Sequence, residues 1–326
     1  MKHLVLVGAC YLDTILRNGH VINVPSSVPF FPSEDSKLRA TSLTTRRGGN
    51  CPNTLEVLQQ LLLSQQQGVD VKPYLVSCLP GEDSPATRRI IDSFGPDSPV
   101  DLGHCIYRPG HAEAASSYII RSEQSGSRTL VNYNDLPEMT AAEFERVARS
   151  FRADQETWWH FEGRIPDTTL DCIRLLRRVH PRAQISVEVE KPGREGLAEL
   201  AAEADVVFYS RSWAESRGYE TAEACLRGEQ LSRASLALCT WGSDGAVALS
   251  RPTGECLRCP VLDDGQGFAV VDTVGAGDTF IAGMLYGLFQ DWDVGAKLKF
   301  AVGLASLKVQ QEGFGGLGGA IHTGCR

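Results

Sequence analysis

Residues 4–7 form an unbroken apolar run closed by Gly8, the pattern of a strand buried on both faces. From residue 158 the rhythm becomes regular. Apolar runs at 158–161, 185–190, 206–210 and 236–240 are separated by helical-period segments at 167–179 and 197–204, with two short helical stretches after 210. That alternation predicts an α/β chain with a mainly parallel central sheet and helices on both faces. Earlier, Leu55, Leu58 and Leu62 recur at helical spacing behind Pro52, residues 74–78 read as a strand, and Asp83-Ser84-Pro85 opens a helix to about 94. Residues 116–121 and 128–133 flank Glu123-Gln124-Ser125-Gly126-Ser127 as a hairpin. Thr140-Ala141-Ala142-Glu143 is a capping box. Residues 245–249 and 255–259 form a second hairpin through Pro252-Thr253-Gly254. A short apolar run ending at Asp272, a glycine turn and a helix over 279–289 make a strand–turn–helix unit, and a last helix spans about 294–311.

Residues 21–32 mix valines, prolines and phenylalanines without helical period, as edge strands or a long excursion would, and Glu34-Asp35-Ser36 is a polar turn. No linker or repeat divides the chain. The expectation is one domain over 1–326 with a small β lid from about 11–46 and 104–135.

Composition narrows the function. The 42% hydrophobic share supports a large core, and a net charge of −8 leaves no broad basic footprint for nucleic acid. The pairs Arg46-Arg47, Arg88-Arg89 and Arg177-Arg178 read as solvated faces. No run reaches the ~18 apolar residues of a membrane span, and the first residues are too short for a signal segment. Ten cysteines in such a chain point to a reducing, cytoplasmic setting with free thiols. The lone Cys256-x-x-Cys259 reads as two strand thiols rather than a zinc site. Gly8 alone follows the first strand, so a dinucleotide fingerprint is lacking.

Candidate chemistry sits at strand ends and helix starts. Asp13 lies just past the first strand, where open α/β sheets bind ligands, and local backbone capping explains it equally well. Gly48-Gly49-Asn50-Cys51-Pro52-Asn53 brings two glycines and two amides to a helix start, suited to sugar hydroxyls or to plain capping. Gly275-Ala276-Gly277-Asp278 is a turn almost without side chains, whose amides favour anions. A carboxylate there fits a base that takes a proton from a hydroxyl attacking phosphate, or a first-turn helix charge. Glu188 and Glu190 share one strand face, as a site or as solvated acids, and Trp158-Trp159 reads as core packing.

The stretch from Asp272 to Gly283 and the Gly48–Asn53 turn together resemble the two signatures of the ribokinase-like (PfkB) carbohydrate kinases, over residues of about 3 to 317. Within that family, His160-Phe161-Glu162-Gly163-Arg164, Arg128-Thr129 with Leu136-Pro137, and above all Ser186-Val187-Glu188-Val189-Glu190-Lys191-Pro192 resemble the ketohexokinase branch. The resemblance implies a three-layer, Rossmann-like ribokinase fold with a β-sheet lid that pairs two copies into a homodimer. It implies ATP-dependent, Mg2+-assisted phosphorylation of a ketohexose, D-fructose at C1, and leaves a monovalent cation such as K+ open. Asp278 is then the base, and the amides of Gly275, Ala276 and Gly277 hold the phosphate. Asp13, Gly49, Asn50, Asn53 and Arg128 hold the sugar, with Asp35 reaching the partner subunit. Trp241, Gly242, Gly245, Thr273, Gly275, Gly277, Val302, Ser306, Lys191 and Arg164 serve ATP, and Glu190 and Glu162 stand indirectly by the metal. His111 joins Asp35 and Arg128 among the lid residues that select the sugar. Kinases of the same family acting on other sugars or nucleosides, and a sugar-binding regulator without catalysis, are the alternatives; the intact Asp278 speaks against the regulator. Many members carry N-x-x-E where this chain reads Ser210-Arg211-Ser212-Trp213-Ala214-Glu215.

Overall fold

A computed structural model describes residues 1–18, 34–35, 39–65, 68–122, 128–261 and 269–321. The excursion expected at 21–32, Ser36 and the hairpin turn at 123–127 lie outside these residues.

The elements in chain order are β1 (Lys2–Val7), β2 (Tyr11–Asn18), β3 (Ser42–Gly48), α1 (Asn50–Ser64), β4 (Val71–Val76), β5 (Cys78–Pro80), α2 (Pro85–Asp92) and β6 (Ile106–Arg108). Next come β7 (Ser116–Ser122), β8 (Arg128–Tyr133), α3 (Ala141–Ser150), β9 (Thr157–Phe161), α4 (Pro166–Val179), β10 (Gln184–Val189), α5 (Leu197–Glu203) and β11 (Val206–Tyr209). The rest are α6 (Arg211–Ser216), α7 (Ala222–Gly228), β12 (Leu236–Thr240), β13 (Ala246–Ser250), β14 (Cys256–Cys259), α8 (Ala276–Phe289) and α9 (Val294–Val309).

The central sheet has the order β14-β13-β12-β11-β10-β9-β1-β4. It is parallel from β12 to β4, and the β13–β14 hairpin adds an antiparallel edge. The pleat divides β1 between two cores. Leu4 and Leu6 face the layer holding α1, α8 and α9, while Val5 and Val7 face the layer holding α3, α4, α5 and α7. The unbroken apolar strands are thus explained by burial on both sides.

The predicted hairpin forms with Ser116 opposite Tyr133 and Arg121 opposite Arg128. It belongs to a second sheet, β3-β2-β7-β8. Strands β2 and β3 fall largely within the β lid expected over about 11–46, though neither was delimited as an element, because Ser42–Gly48 is polar and exposed over its first three residues. On one face Ile15 and Ile119 are buried. The register puts Leu43, Tyr118, Val131 and Tyr133 together on the opposite face, all exposed.

Two expectations need correction. Val270 and Val271 form no strand: both are exposed, and the amides of Val271 and Asp272 donate to the Val309 carbonyl at the end of α9. Two valines side by side were too short a run to outweigh the loop geometry the turn needs. The following helix also starts earlier, at Ala276. Arg47 is not a solvated charge. It is buried, stacks 3.8 Å above the Phe94 ring, pairs with Glu56 at 2.5 Å and donates to Pro52 O and Ser93 Oγ. Arg177 likewise donates to the Ala183 and Glu203 carbonyls and pairs with Asp205. Fixed carbonyl and carboxylate partners offset the desolvation of the Arg47 guanidinium, and of Arg177 except at its Nε, which is buried without a hydrogen-bond partner among the described residues.

Candidate active site

Two helix starts converge beside the carboxyl ends of β9 and β10. The first belongs to α1. Its cap, Gly49, has φ 104°, and a Cβ there would fall 2.1 Å from the Ala9 carbonyl oxygen, so only glycine fits. Arg47 ties the preceding strand to this helix through Pro52 O and Glu56, which fixes the turn. Asn50 then sits on the first turn and Asn53 one turn along, buried.

The second start belongs to α8. Its cap, Gly275, has φ 79°, and a Cβ there would strike the Phe314 ring at 2.4 Å. Ala276 spends its amide on Thr273 O at 3.3 Å, whereas the Gly275 and Gly277 amides have no backbone partner among the described residues. A Cβ on Gly277 would meet nothing within 4 Å. The turn is therefore an open, amide-lined concavity suited to an anion. Below it the Lys308 ammonium, with no exposed surface, donates to Asp272 O and Oδ2 at 3.0 Å each, and the Val274 amide donates to Asp272 Oδ1. Burial alone would push the Asp272 carboxyl up. The Lys308 and Val274 hydrogen bonds and the charges of Lys308 and Arg46 outweigh it and hold the carboxyl below its usual range.

Where the helices meet, Asn53 Nδ2 donates to Asp278 Oδ2 at 2.8 Å and Thr54 Oγ1 to Asp278 O at 3.2 Å. Asn50 Nδ2 donates to Glu188 Oε2 at 2.7 Å and Glu190 Oε2 at 3.0 Å. Glu188, set in the solvated class as one alternative, is in fact buried; Glu190 is exposed. On the far side of Glu188, His160 Nε2 lies 2.9 Å from its Oε1. Glu162 Oε2 accepts the Ala9 amide at 2.8 Å.

These acids raise one another. Burial first, then the Glu188, Glu190 and Glu162 charges, push Asp278 well above the usual carboxyl range against the pull of Asn53. Burial and the Glu188 charge bring Glu162 up to about 7. Burial brings Glu188 up to about 8, with Glu190 adding to it and Asn50 opposing. Burial drives His160 down to about 3, so its ring is neutral. Cys51, His160 and Glu188 bring one donor atom each within 4.8 Å of one another, the one such group among the described residues. The ring and carboxylate are already bonded together, and burial among acids keeps the Cys51 thiol protonated. Within the trio the hydrogen bond joins His160 to Glu188, with the Cys51 thiol packed beside them.

Gly49, Asn50, Asn53, Gly275, Gly277, Asp278 and Glu190 thus come together. Asp13 lies on β2 opposite Arg46, its carboxylate packed against Gly48. Trp241 follows β12, with its amide on Gly245 O at 2.7 Å and Gly242 and Gly245 both at positive φ. Its ring is largely covered, with the Arg211 guanidinium 5.5 Å away. Val302 is in the core of α9, and Ser306 Oγ bonds its carbonyl. Lys191 is exposed after Glu190. Arg164 turns to Tyr11 and Glu138 and lines, with Glu162, a cavity of about 50 Å³. His111 pairs with Asp135 at 3.4 Å. Asp35 is exposed at φ 59°, and Arg128 begins β8. Sequence reasoning gave no role to His160, Cys51, Thr54, Lys308 or Phe314. For Lys308, one of three lysines in α9, its place on the helix's apolar stripe was the available signal.

Residues 1–317 match the family described as pfkB family carbohydrate kinase. The chain is 30% identical to a mouse (Mus musculus) ketohexokinase over 97% of its own length and 99% of the relative's. It is 27% identical to an ATP-dependent ribose-1-phosphate kinase of Halopiger xanaduensis over 92% of this chain and 93% of that one. Its fold matches Arabidopsis thaliana ribokinase complexed with ribose and ATP at a TM-score of 0.72 and 20% identity, covering 96% and 94% of the two chains. Kinases of this family use ATP, typically with Mg2+. Among the described residues no helix is long and apolar enough to cross a membrane. A fold match over nearly the whole chain and a family match to residue 317 agree: the chain belongs to the pfkB family of carbohydrate kinases, phosphotransferases that act on a sugar hydroxyl.

Proposed function

We propose that the chain transfers the γ-phosphoryl of ATP to a ketohexose, D-fructose at its C1 hydroxyl. The observation that carries the reading is the Asn53–Asp278 bond, which holds a proton-hungry carboxylate between the amide-bearing start of α1 and the open start of α8. Asp278 takes the hydroxyl proton. The Gly275 and Gly277 amides, with Ala276 between them, meet the charge that grows on the transferring phosphate. Asn50 and Asn53 spend amide protons on Glu188, Glu190 and Asp278, so their oxygens are left to accept from sugar hydroxyls. Asp13 and Gly49 complete this side, with Arg128 and His111 from the lid. The turn from Trp241 to Gly245, with Thr273, Ser306, Val302, Lys191 and Arg164, serves the nucleotide.

Mg2+ neutralises the ATP phosphates during transfer. Glu190 fits an indirect contact to it, being exposed with hard oxygen donors. Glu162 fits less well, because one oxygen is spent on the Ala9 amide and the group holds a proton near neutral pH. The likeness to ketohexokinase across 97% of the chain supports fructose. The exposed apolar face of Leu43, Tyr118, Val131 and Tyr133 supports a homodimer through the lid, with Asp35 directed to the partner.

Purified protein with Mg2+ and ATP should release ADP on fructose and give fructose 1-phosphate, the product position read by NMR. ADP release on ribose, ribose 1-phosphate or a nucleoside but not on fructose would overturn the substrate and keep the family.

A further inference from the structure

The parallel register of β9 and β10 sets His160 beside Ser186. His160 is fully buried and no substrate can touch it. Its two ring nitrogens are both used: Nδ1 lies 2.9 Å from Ser186 Oγ, and Nε2 lies 2.9 Å from Glu188 Oε1. The Trp158 indole donates to the same Ser186 Oγ at 2.8 Å. An indole N–H can only donate. Ser186 therefore accepts from Trp158 and shares a hydrogen with His160 Nδ1, and His160 Nε2 shares one with Glu188 Oε1, so both ring nitrogens are tied whichever tautomer the ring takes. Glu188's other oxygen accepts from Asn50 Nδ2, whose second proton goes to Glu190. The bonds run unbroken from Trp158 to Glu188, and the chain's far end decides which way the Asn50 amide points.

We infer that His160 is a positioning residue for the sugar. Through Glu188 it locks the Asn50 amide with nitrogen inward and oxygen toward the substrate. Without it Glu188 loses one of its two side-chain partners and turns, Asn50 is freed to reorient, and the site offers the sugar a mixture of donor and acceptor. The α8 turn is untouched by this chain. The inference rests on the reading that Asn50 faces the sugar.

The test compares His160→Leu, His160→Gln and Ser186→Ala, using whichever sugar the wild-type substrate panel identifies, so a wrong choice of fructose does not decide it. Leucine fills the volume and breaks both bonds. Glutamine can accept from Ser186 and donate to Glu188. The expected result is a rise in sugar KM of about 10-fold for His160→Leu, with ATP KM within about 2-fold, and a return toward wild type in His160→Gln. Ser186→Ala should move sugar KM the same way by less. Calorimetric titration of the sugar without ATP should show the same order. Unchanged sugar KM in His160→Leu, a glutamine variant as impaired as the leucine one, or a proportional rise in both KM values would overturn the assignment. Should His160→Leu fail to fold, Ser186→Ala decides alone: unchanged sugar KM in it overturns the inference.

Discussion

The starts of α1 and α8 are built alike and face opposite chemistry. Each begins on a positive-φ glycine that no side chain caps. At α1 the space is filled: Ala9 closes over Gly49, and the Asn50 and Asn53 amides are claimed by three acids. At α8 the space before Gly277 is open, and a buried Lys308 stands behind the turn. On the proposed reading the same backbone device serves two guests: crowding with acids suits one end to neutral hydroxyls, and leaving the Gly275 and Gly277 amides without backbone partners among the described residues suits the other to an anion.

The division can be broken from either side. Asp278→Asn should lower kcat by roughly 10³- to 10⁴-fold while calorimetry finds sugar affinity within about 3-fold; equal loss of both would make the residue structural. Gly275→Ala, forced against Phe314, should lower kcat/KM for ATP by about 10²-fold with little change in sugar KM. A shift in sugar KM instead would mean the two helix starts do not divide the substrates. Asn53→Ala and Asn50→Ala should raise sugar KM by roughly 10-fold and spare ATP KM.

Stability offers a smaller effect. Glu162 has a folded pKa of about 7 against an ordinary 4.5, so folding takes up a proton in that window. Its contribution is full below about 4.5 and is lost as pH rises through about 7. The residue as a whole keeps some contact with water while its carboxyl is enclosed, so the effect is at most about 3 kcal/mol. Glu162→Gln should melt with a flatter pH profile, its Tm advantage over wild type growing from pH 5 to pH 8; a constant offset would assign the difference to packing.

Both glycine turns, the parallel strands and the 116–133 hairpin were legible because each depends on local sequence. Glycines at helix starts, apolar runs and turn residues act over a few positions. The acid cluster was not. His160, Ser186 and Glu188 meet only through strand register, and the alternation in β10 could not tell a buried acid from a solvated one. The bounds of β2 and β3, inside the β lid expected over about 11–46, were hidden for the converse reason: a small sheet with one face in water needs few apolar residues. Arg47 looked like surface because its partners, Phe94, Glu56 and Pro52, lie on other elements.

Asp272 holds two cations that ionic strength treats unequally. Lys308 is sealed from water at 3.0 Å. Arg46, on β3 of the small sheet, is 24% exposed at 3.7 Å, in reach of counterions. Screening lengths shrink to about 3 Å at 1 M salt. Added salt should therefore release β3 from the glycine turn before α8 while the turn keeps its own anchor, so hydrogen exchange in β3 should quicken between dilute buffer and molar salt with the amides of α8 unmoved. The small sheet is held by a tether that the surrounding electrolyte can slacken.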